Sequence, residues 1–325
     1  MGKTRIKLGL RLGTGLAISR YKMPNRRKFL GVRVLAATSK TLSLPYRKNA
    51  LAKLVLANRL DHLNRENSAT KSYPIAIFAH DHISTHISVF GFYEREQLEM
   101  IFEALSPLEQ LFKNGRALDI GANIGNHSIY YSSHFKSVEA FEPHPRIAQL
   151  LRFNTGPAGN ITVQEYGVGN ENTTGMMNEV ANNIGASSIG KGDIEINIRT
   201  IDSFNFNDVA FMKIDVEGFE KQVLRGARET IARCSPILIV EQHSHEFANG
   251  YPETLKIIED MGYAFGWFSA GSIQGRWNKA AAAIRERVSN QRTFEFRIAA
   301  HAEPGEYLAL VAIPKIHWPL FGFNL

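Results

Sequence analysis

A short loop with two glycines and an acidic residue is the first feature of the sequence that could bind a ligand. It runs from Asp119 to Gly125, at the end of the predicted strand 117–120, and it precedes a segment with helical spacing. Gly121 suits a turn in which a Cβ atom would clash. Gly125 suits close approach of the backbone to a ligand and close packing of the following helix. Unpaired N–H groups at the start of that helix favour polar or anionic ligand groups. The loop therefore predicts a binding site at the end of a strand.

Glu142 lies 23 residues after Asp119, at the end of the next predicted strand. A carboxylate there can accept hydrogen bonds from both hydroxyl groups of a ribose, as in nucleotide-binding sheets. Asn123 and Asn126 occupy two positions where the dinucleotide fingerprint requires glycine. The pattern thus argues against a nicotinamide cofactor and favours another nucleoside-bearing cofactor. The structural alternative is a tight turn, with Glu142 merely close to a helix start.

Three acidic residues and a histidine follow the later apolar strands and could take part in proton transfer. Asp215 and Glu217 follow one apolar run, and Glu241 and His243 follow the next. The carboxyl ends of parallel strands meet at the edge where such sheets bind ligands. Each of the four is therefore a candidate base or substrate ligand, and capping of a helix is the alternative for Asp215 and Glu217. A divalent metal shared by Asp215, Glu241 and His243 is conceivable but not predicted, because no spacing here is a metal signature.

Strand and helix patterns alternate from residue 116 onward. Strands are predicted at 74–78, 86–90, 117–120, 137–141, 161–163, 209–214, 236–240, 263–268 and 307–313. Helices are predicted at 50–60, 94–112, 126–135, 146–154, 217–233 and 252–261. This alternation, with continuous apolar strands, predicts an α/β fold with a mostly parallel sheet and helices on both faces.

The positive charge of the chain is concentrated at its start. The 325 residues include 38 Lys and Arg and 31 Asp and Glu, yet residues 1–50 contain 13 basic residues and no acidic one. Such an arm could contact an anionic membrane surface, RNA or an acidic partner. The alternatives are a solvated tail and a processed targeting segment.

Composition excludes several classes of protein. Apolar residues make up 44% and charged residues 21%, as in an ordinary globular chain, so disorder throughout is excluded. Cys234 is the single cysteine, so an intrachain disulfide and a cysteine-rich zinc site are excluded. No run of 18 apolar residues is present, so we expect no transmembrane segment and a cytoplasmic protein.

Three motifs taken together resemble one protein family. Residues 119–125 read DIGANIG, residues 141–143 read FEP, and residues 213–220 read KIDVEGFE. In this order they resemble the FkbM family of S-adenosylmethionine-dependent methyltransferases, over roughly residues 115–268. The resemblance implies a class I methyltransferase (Rossmann-like) fold, with a seven-stranded sheet whose last strand is antiparallel.

The resemblance also implies O-methylation of a hydroxyl on a sugar, glycan or other small metabolite. It assigns the methionine end of the cofactor to the glycine loop, its ammonium to Asp119, its ribose to Glu142 and its adenine to the region of Val168. The residues implied to bind the cofactor are Asp119, Gly121, Asn123, Gly125, Glu142 and Val168. The competing interpretations are a non-catalytic protein recruited by the basic arm to RNA or a membrane, and an NAD-dependent oxidoreductase.

The expected organisation has three parts. A basic extension covers residues 1–70, strands and a helix at 71–114 lead into the core, and a methyltransferase domain covers 115–325. Within that domain, residues 270–306 are expected to form a loop-rich insertion.

Overall fold

The structure is a computed structural model of the chain. It describes residues 50–69, 75–78, 81–178, 188–190, 192–270 and 294–323. Residues 51–325 cluster as one compact unit. Residues 1–49 of the predicted basic arm and residues 271–293 of the predicted insertion lie outside the described residues. Within the described ranges, no helix is long and apolar enough to cross a membrane.

The strands and helices have the following bounds. The strands are β1 (Arg116–Ile120), β2 (Ser137–Phe141), β3 (Ile161–Gln164), β4 (Gly167–Val168), β5 (Thr173–Asn178), β6 (Ser188–Gly190), β7 (Ile194–Arg199), β8 (Val209–Ile214), β9 (Ile237–Gln242), β10 (Tyr263–Ala270), β11 (Phe294–Ala299) and β12 (Tyr307–Pro314). The helices are α1 (Ala50–Ala69), α2 (His82–Phe90), α3 (Arg95–Ala104), α4 (Glu109–Asn114), α5 (Asn126–Ser132), α6 (Pro145–Thr155), α7 (Glu220–Gly226), α8 (Arg228–Cys234) and α9 (Glu253–Asp260).

The main sheet has the strand order β11-β10-β12-β9-β8-β1-β2-β3. Strands β3, β2, β1, β8 and β9 are parallel, and β12 runs antiparallel to β9 and β10. The expected parallel core and reversed last strand are therefore present. Among the described residues, however, this sheet has eight strands rather than the expected seven.

The additional strand is β11, which pairs antiparallel with β10 at the edge of the sheet. It lies inside the stretch 270–306 that was expected to be loop-rich. All six of its residues are half-buried or exposed, and among the described residues β10 is its only partner strand. An edge strand of this kind lacks the continuous apolar run that reveals a buried strand in a sequence.

Alternate residues of the central strands contribute to two cores, one on each face of the sheet. In β8, Met212 and Ile214 belong to the core that includes Val223 of α7 and Leu255 of α9. Phe211 points the other way and belongs to the core that includes Phe102 of α3 and Tyr131 of α5. Every residue of β8 is buried, which explains why the strand is apolar at every position except Lys213. The helices consequently cover both faces and leave the strand ends open for ligands.

A second, four-stranded sheet has the order β4-β7-β5-β6. Of these strands, β5 and β7 pair antiparallel, and Met177, Ile196 and Ile198 form a small core of their own. These strands were not predicted from the sequence. Strand β7 alternates buried and exposed residues, and β4 and β6 are only two and three residues long.

The segment before the core differs from the expected pair of strands. Residues 75–78 form neither strand nor helix, and the predicted strand 86–90 lies in helix α2. The side chain of Asp81 caps this helix by accepting a hydrogen bond from the backbone N–H of Ser84 (3.0 Å). Ile83 and Ile87 are four residues apart and pack in the same apolar cluster. The apolar residues therefore follow a helical repeat, and the prediction of a strand was wrong.

Two predicted helices are interrupted. The helix expected at 94–112 becomes α3, a 3₁₀ turn at Ser106–Leu108 and α4, because Pro107 cannot continue the hydrogen-bond pattern of α3. The helix expected at 217–233 begins only at Glu220 and is divided between α7 and α8. Glu217 and Gly218 have positive φ angles of 50° and 92°, which exclude them from a right-handed helix.

Candidate active site

A cavity of about 300 Å³ lies at the carboxyl ends of β1, β2, β8 and β9. Its lining includes seven of the ten residues that the sequence analysis selected. These are Gly121, Asn123, Glu142, Val168, Asp215, Glu217 and Glu241. Asp119, Gly125 and His243 do not line it.

The glycine loop is fixed by close contacts with neighbouring elements. Gly121, Asn123 and Gly125 all have left-handed backbones, with φ angles of 80°, 50° and 91°. A Cβ atom on Gly121 would lie 1.8 Å from the carbonyl oxygen of Asp215. One on Gly125 would lie 2.7 Å from Leu151 Cδ1, on α6. Gly121 thus lets β1 meet the end of β8, whereas Gly125 lets the loop pack on α6 instead of lining the cavity.

Glu142 is held beside this loop by two backbone hydrogen bonds. Its Oε2 accepts from the N–H of Asn123 (3.0 Å), and its Oε1 accepts from the N–H of His144 (2.9 Å). The residue is only 5% exposed. Burial raises the pKa of Glu142 to about 7, although the two N–H groups oppose the shift. Each carboxylate oxygen retains a further lone pair, so Glu142 can also accept hydrogen bonds from a ligand.

Lys213 is a buried cation that the sequence analysis missed. Its Nζ lies 3.0 Å from Asp215 Oδ2, 3.3 Å from the carbonyl oxygen of Gly121 and 3.6 Å from Asp119 Oδ1. Burial alone would lower the pKa of Lys213, but the carboxylates of Asp215 and Asp119 raise it above its usual value. A lysine within an otherwise apolar buried strand was the available signal.

Asp119 lies behind the loop and is fully buried. Its Oδ2 accepts a hydrogen bond from the hydroxyl of Ser128 (2.5 Å), and its Oδ1 faces Lys213. The structure therefore brings Asp119 together with Lys213, and not with the cavity itself.

Carboxylates gather at the opposite end of the cavity, where β8 and β9 end. Glu241 is partly buried, and burial together with the negative charge of Asp215 raises its pKa to about 7. Burial would also raise the pKa of Asp215, but Lys213 lowers it below its usual value. Although much of Glu217 is exposed, partial burial of its carboxyl group and the negative charge of Asp215 raise its pKa. Of the three, Glu241 is the acid whose pKa best suits proton acceptance near neutral pH.

His243 lies just outside the cavity. Its Nδ1 is 2.9 Å from Glu306 Oε1, whereas its Nε2 is 3.8 Å from Glu241 Oε1. The hydrogen bond to Glu306 raises the pKa of His243. Glu306 also accepts from the N–H of Ser244 (2.7 Å), so the pair connects the end of β9 to the segment that precedes β12.

A further wall of the cavity is formed by the connection between α2 and α3 together with His127 of α5, and none of its residues was selected from the sequence. Tyr93, Glu94 and His127 line this side, and we call them the α2–α3 wall. Glu94 Oε2 lies 3.3 Å from His127 Nε2. The ring of Tyr93 stacks on that of His127, with centroids 6.3 Å apart.

Asn126 joins this wall to the glycine loop. Its Oδ1 accepts from the backbone N–H of Tyr93 (3.1 Å), and its Nδ2 donates to the carbonyl oxygen of Tyr93 (3.0 Å). Asn126 is buried and is the first residue of α5, directly after Gly125. The wall is therefore held to α5, the helix that directly follows the glycine loop.

The remaining side of the cavity is apolar. The second sheet contributes Val168 from β4, Met177 from β5 and Ile189 from β6. Tyr166 also lines this side, and the guanidinium of Arg199 lies 4.4 Å from the centre of its ring. These side chains provide a flat, water-excluding surface suited to an aromatic base.

Among the residues that the structure describes, no three His, Cys, Asp or Glu side chains are grouped so that they could hold a metal ion. The combination of Asp215, Glu241 and His243 considered from the sequence is thus not such a group.

The fold and the position of the cavity define the class of protein. A mostly parallel sheet with one reversed strand beside β9, and with its binding loop after β1, is the fold of a class I methyltransferase. The family comparison is more specific, because residues 119–265 match the methyltransferase FkbM domain. The chain therefore contains a domain of the FkbM methyltransferase family.

Individual relatives share parts of the chain. The hexuronic acid methyltransferase AglP of Haloferax volcanii is 30% identical over 146 residues, which are 42% of this chain and 59% of the relative. The chain thus matches just over half of the length of that relative. A solved FkbM methyltransferase from Methylobacillus flagellatus is 22% identical, covers 59% of this chain and 50% of its own, and has a TM-score of 0.31. Magnesium protoporphyrin IX methyltransferase from Synechocystis PCC 6803 is 11% identical, with 84% and 100% coverage and a TM-score of 0.37.

Proposed function

We propose that the protein is an S-adenosylmethionine-dependent O-methyltransferase that acts on a hydroxyl group of a sugar or glycan. The observation that carries this proposal is the single cavity shared by Glu142 and Glu241. One of these carboxylates suits a ribose, and the other suits proton acceptance. The FkbM domain supports the reaction class, and the hexuronic acid methyltransferase among its relatives supports a sugar acceptor.

The residues at the first end of the cavity fit this cofactor. Glu142 has free acceptor capacity for the ribose hydroxyls and is already oriented by Asn123 and His144. The apolar side at Val168, Met177 and Ile189 suits the adenine. Gly121 and Asn123 line the space between these residues and Asp215, which suits the methionine part.

When bound, S-adenosylmethionine supplies a methyl group that is activated by its positive sulfur. The protein must bind the acceptor hydroxyl in reach of that group and accept its proton. Glu241 accepts the proton in this proposal, because its pKa of about 7 leaves a useful fraction ionised at neutral pH. Asp215 is less suited to this role, since Lys213 stabilises its ionised form. It orients the acceptor instead.

Lys213 lines the cavity, and Asp119 lies behind it. Lys213 connects Asp119, the carbonyl oxygen of Gly121 and Asp215, so it fixes the end of β8 relative to the binding loop. His243 is a positioning residue, since Glu306 rather than the cavity holds its ring.

Calorimetric titration with S-adenosylhomocysteine and with NADH tests the cofactor assignment. We expect binding of S-adenosylhomocysteine and no binding of NADH. Transfer of a labelled methyl group to a panel of sugars and glycans then tests the reaction. NADH binding without S-adenosylhomocysteine binding would contradict the proposal. Cofactor binding without transfer to any acceptor would favour a non-catalytic protein.

A further inference from the structure

The cofactor and proton-transfer roles do not account for the α2–α3 wall. Its central residue, Glu94, has a left-handed backbone (φ 56°, ψ 27°) and occupies the N-cap position of α3. Non-glycine residues adopt this conformation at a cost in stability. The side chain of an N-cap residue stabilises its helix when it accepts a hydrogen bond from the helix N–H groups. Glu94 makes no such bond. Its conformation therefore serves something other than helix capping.

The neighbours of Glu94 hold its carboxylate at the cavity. His127 Nε2 lies 3.3 Å from Glu94 Oε2, and the His127 side chain is only 12% exposed. Tyr93 lies on the other side, and burial together with Glu94 raises its pKa above the usual value. The two hydrogen bonds of Asn126 fix the backbone of Tyr93. The carboxylate is thus oriented before any ligand arrives.

The wall lies at the end of the cavity where the acceptor must bind. Glu94 and His127 line the same cavity as Asp215 and Glu241. The negative charge of Glu94 contributes to the raised pKa of Glu241. Glu142 and the apolar side form the opposite end, so Glu94 has no part in holding the cofactor ribose or adenine.

The chemistry of the wall matches a neutral, hydroxyl-bearing ring. A carboxylate accepts hydrogen bonds from hydroxyl groups, an imidazole can donate or accept, and an aromatic side chain packs on the apolar face of a ring. A ligand carboxylate would meet the carboxylates of Glu94, Asp215 and Glu241. The Lys213 cation also lines the cavity, but it is already paired with Asp215 and Asp119, so the ligand carboxylate would be repelled. We propose that Tyr93, Glu94 and His127 form the acceptor subsite for an uncharged sugar ring, with Glu94 accepting a hydrogen bond from a ring hydroxyl. This subsite rests on the function proposed above.

Two substitutions at one position separate binding from backbone strain. Glu94→Gln keeps the side-chain shape and the strain but removes the charge. Glu94→Gly removes the side chain and suits the left-handed backbone. Glu96→Gln is the matched control, since Glu96 is exposed on α3 and does not line the cavity.

The probes are S-adenosylhomocysteine for cofactor binding, S-adenosylmethionine with a labelled methyl group for transfer, and two sets of acceptors. The acceptors are neutral methyl hexopyranosides and the corresponding methyl hexopyranosiduronates. The wild-type protein should transfer labelled methyl groups to neutral glycosides in preference to uronates. Glu94→Gln should raise the KM for the neutral glycoside about tenfold or more, with a smaller change in kcat and unchanged affinity for S-adenosylhomocysteine. Glu94→Gly should keep the midpoint of thermal unfolding or raise it by about 2 °C. Glu96→Gln should change none of these quantities.

Three results would overturn the subsite while cofactor binding remains intact. They are an unchanged KM in Glu94→Gln, a preference for uronates over neutral glycosides, and a fall in the thermal midpoint of Glu94→Gly by more than about 4 °C. The last result would make Glu94 a structural residue. Absence of S-adenosylhomocysteine binding in the wild type, or absence of methyl transfer to any sugar, would instead contradict the proposed function itself.

Discussion

The two ends of the cavity are built in different ways. At the Glu142 end, backbone N–H groups hold the carboxylate, and the loop packs against the backbone of Asp215. At the Glu241 end, side chains meet other side chains, as where Glu94 Oε2 lies 3.3 Å from His127 Nε2. Main-chain contacts leave little freedom for substitution, whereas side-chain pairs can be exchanged one at a time. The first end is therefore suited to a constant ligand and the second to an acceptor that differs between proteins.

The largest effect is expected at the second end. Glu241→Gln removes the group that we propose accepts the proton, so the rate of methyl transfer should fall about 10²- to 10⁴-fold. Affinity for S-adenosylhomocysteine should remain unchanged, because Glu241 lies away from Glu142. Single-turnover kinetics and calorimetry on the same preparation measure both quantities. A variant that retains its rate would remove Glu241 from proton transfer.

The next effect tests the rigidity of the first end. Gly121→Ala places a Cβ 1.8 Å from a backbone oxygen at a φ of 80°, so the free energy of unfolding should fall by about 2–5 kcal/mol. Gly159→Ala is the matched control, with a φ of 76° and no atom within 4 Å of the added Cβ. It should cost only about 1 kcal/mol for the backbone conformation. Denaturant titration of both variants gives the difference, and equal losses would show that the contact with Asp215 is unimportant.

Glu142→Ala should weaken S-adenosylhomocysteine binding about 10- to 100-fold, because the ribose loses its acceptor. The N–H groups of Asn123 and His144 also lose their partner, so the variant should be less stable by about 1–3 kcal/mol. Glu171→Ala, a loss of a carboxylate at an exposed position, serves as the control in calorimetry. Wild-type affinity in Glu142→Ala would place the ribose elsewhere.

The smallest effect concerns pH at the first end. Glu142 has a pKa of about 7, raised by burial from 4.5. Below pH 7 the carboxyl group is mostly protonated and loses acceptor capacity, so cofactor affinity should rise with pH. Binding of S-adenosylhomocysteine should be about tenfold weaker at pH 6 than at pH 8. The Glu142→Gln variant should lose this dependence, and a dependence that persists there would belong to another group.

The sequence was most informative where function depends on the main chain. The loop at 119–125, Glu142 at the end of β2, and strands β1, β2 and β8 follow from glycine positions and continuous apolar runs. These signals are local, because a buried parallel strand must be apolar along its length and a left-handed turn favours glycine.

Other parts depend on contacts that no local pattern encodes. Helix α2 was mistaken for a strand, since five residues with alternating apolar positions fit both periods. Lys213 becomes meaningful only when the fold brings Asp119 and Asp215 beside it. Glu94 precedes the family match at 119–265, and its role depends on His127, which lies on a different helix.

The near contact between Gly121 and the carbonyl oxygen of Asp215 has a practical consequence for protein engineering. Two backbones meet there, so no choice of side chain can widen or reshape that part of the cavity without displacing a strand. Attempts to redirect the proposed activity to new acceptors would therefore gain most from libraries at positions 93, 94 and 127, with the residues between 119 and 125 kept constant.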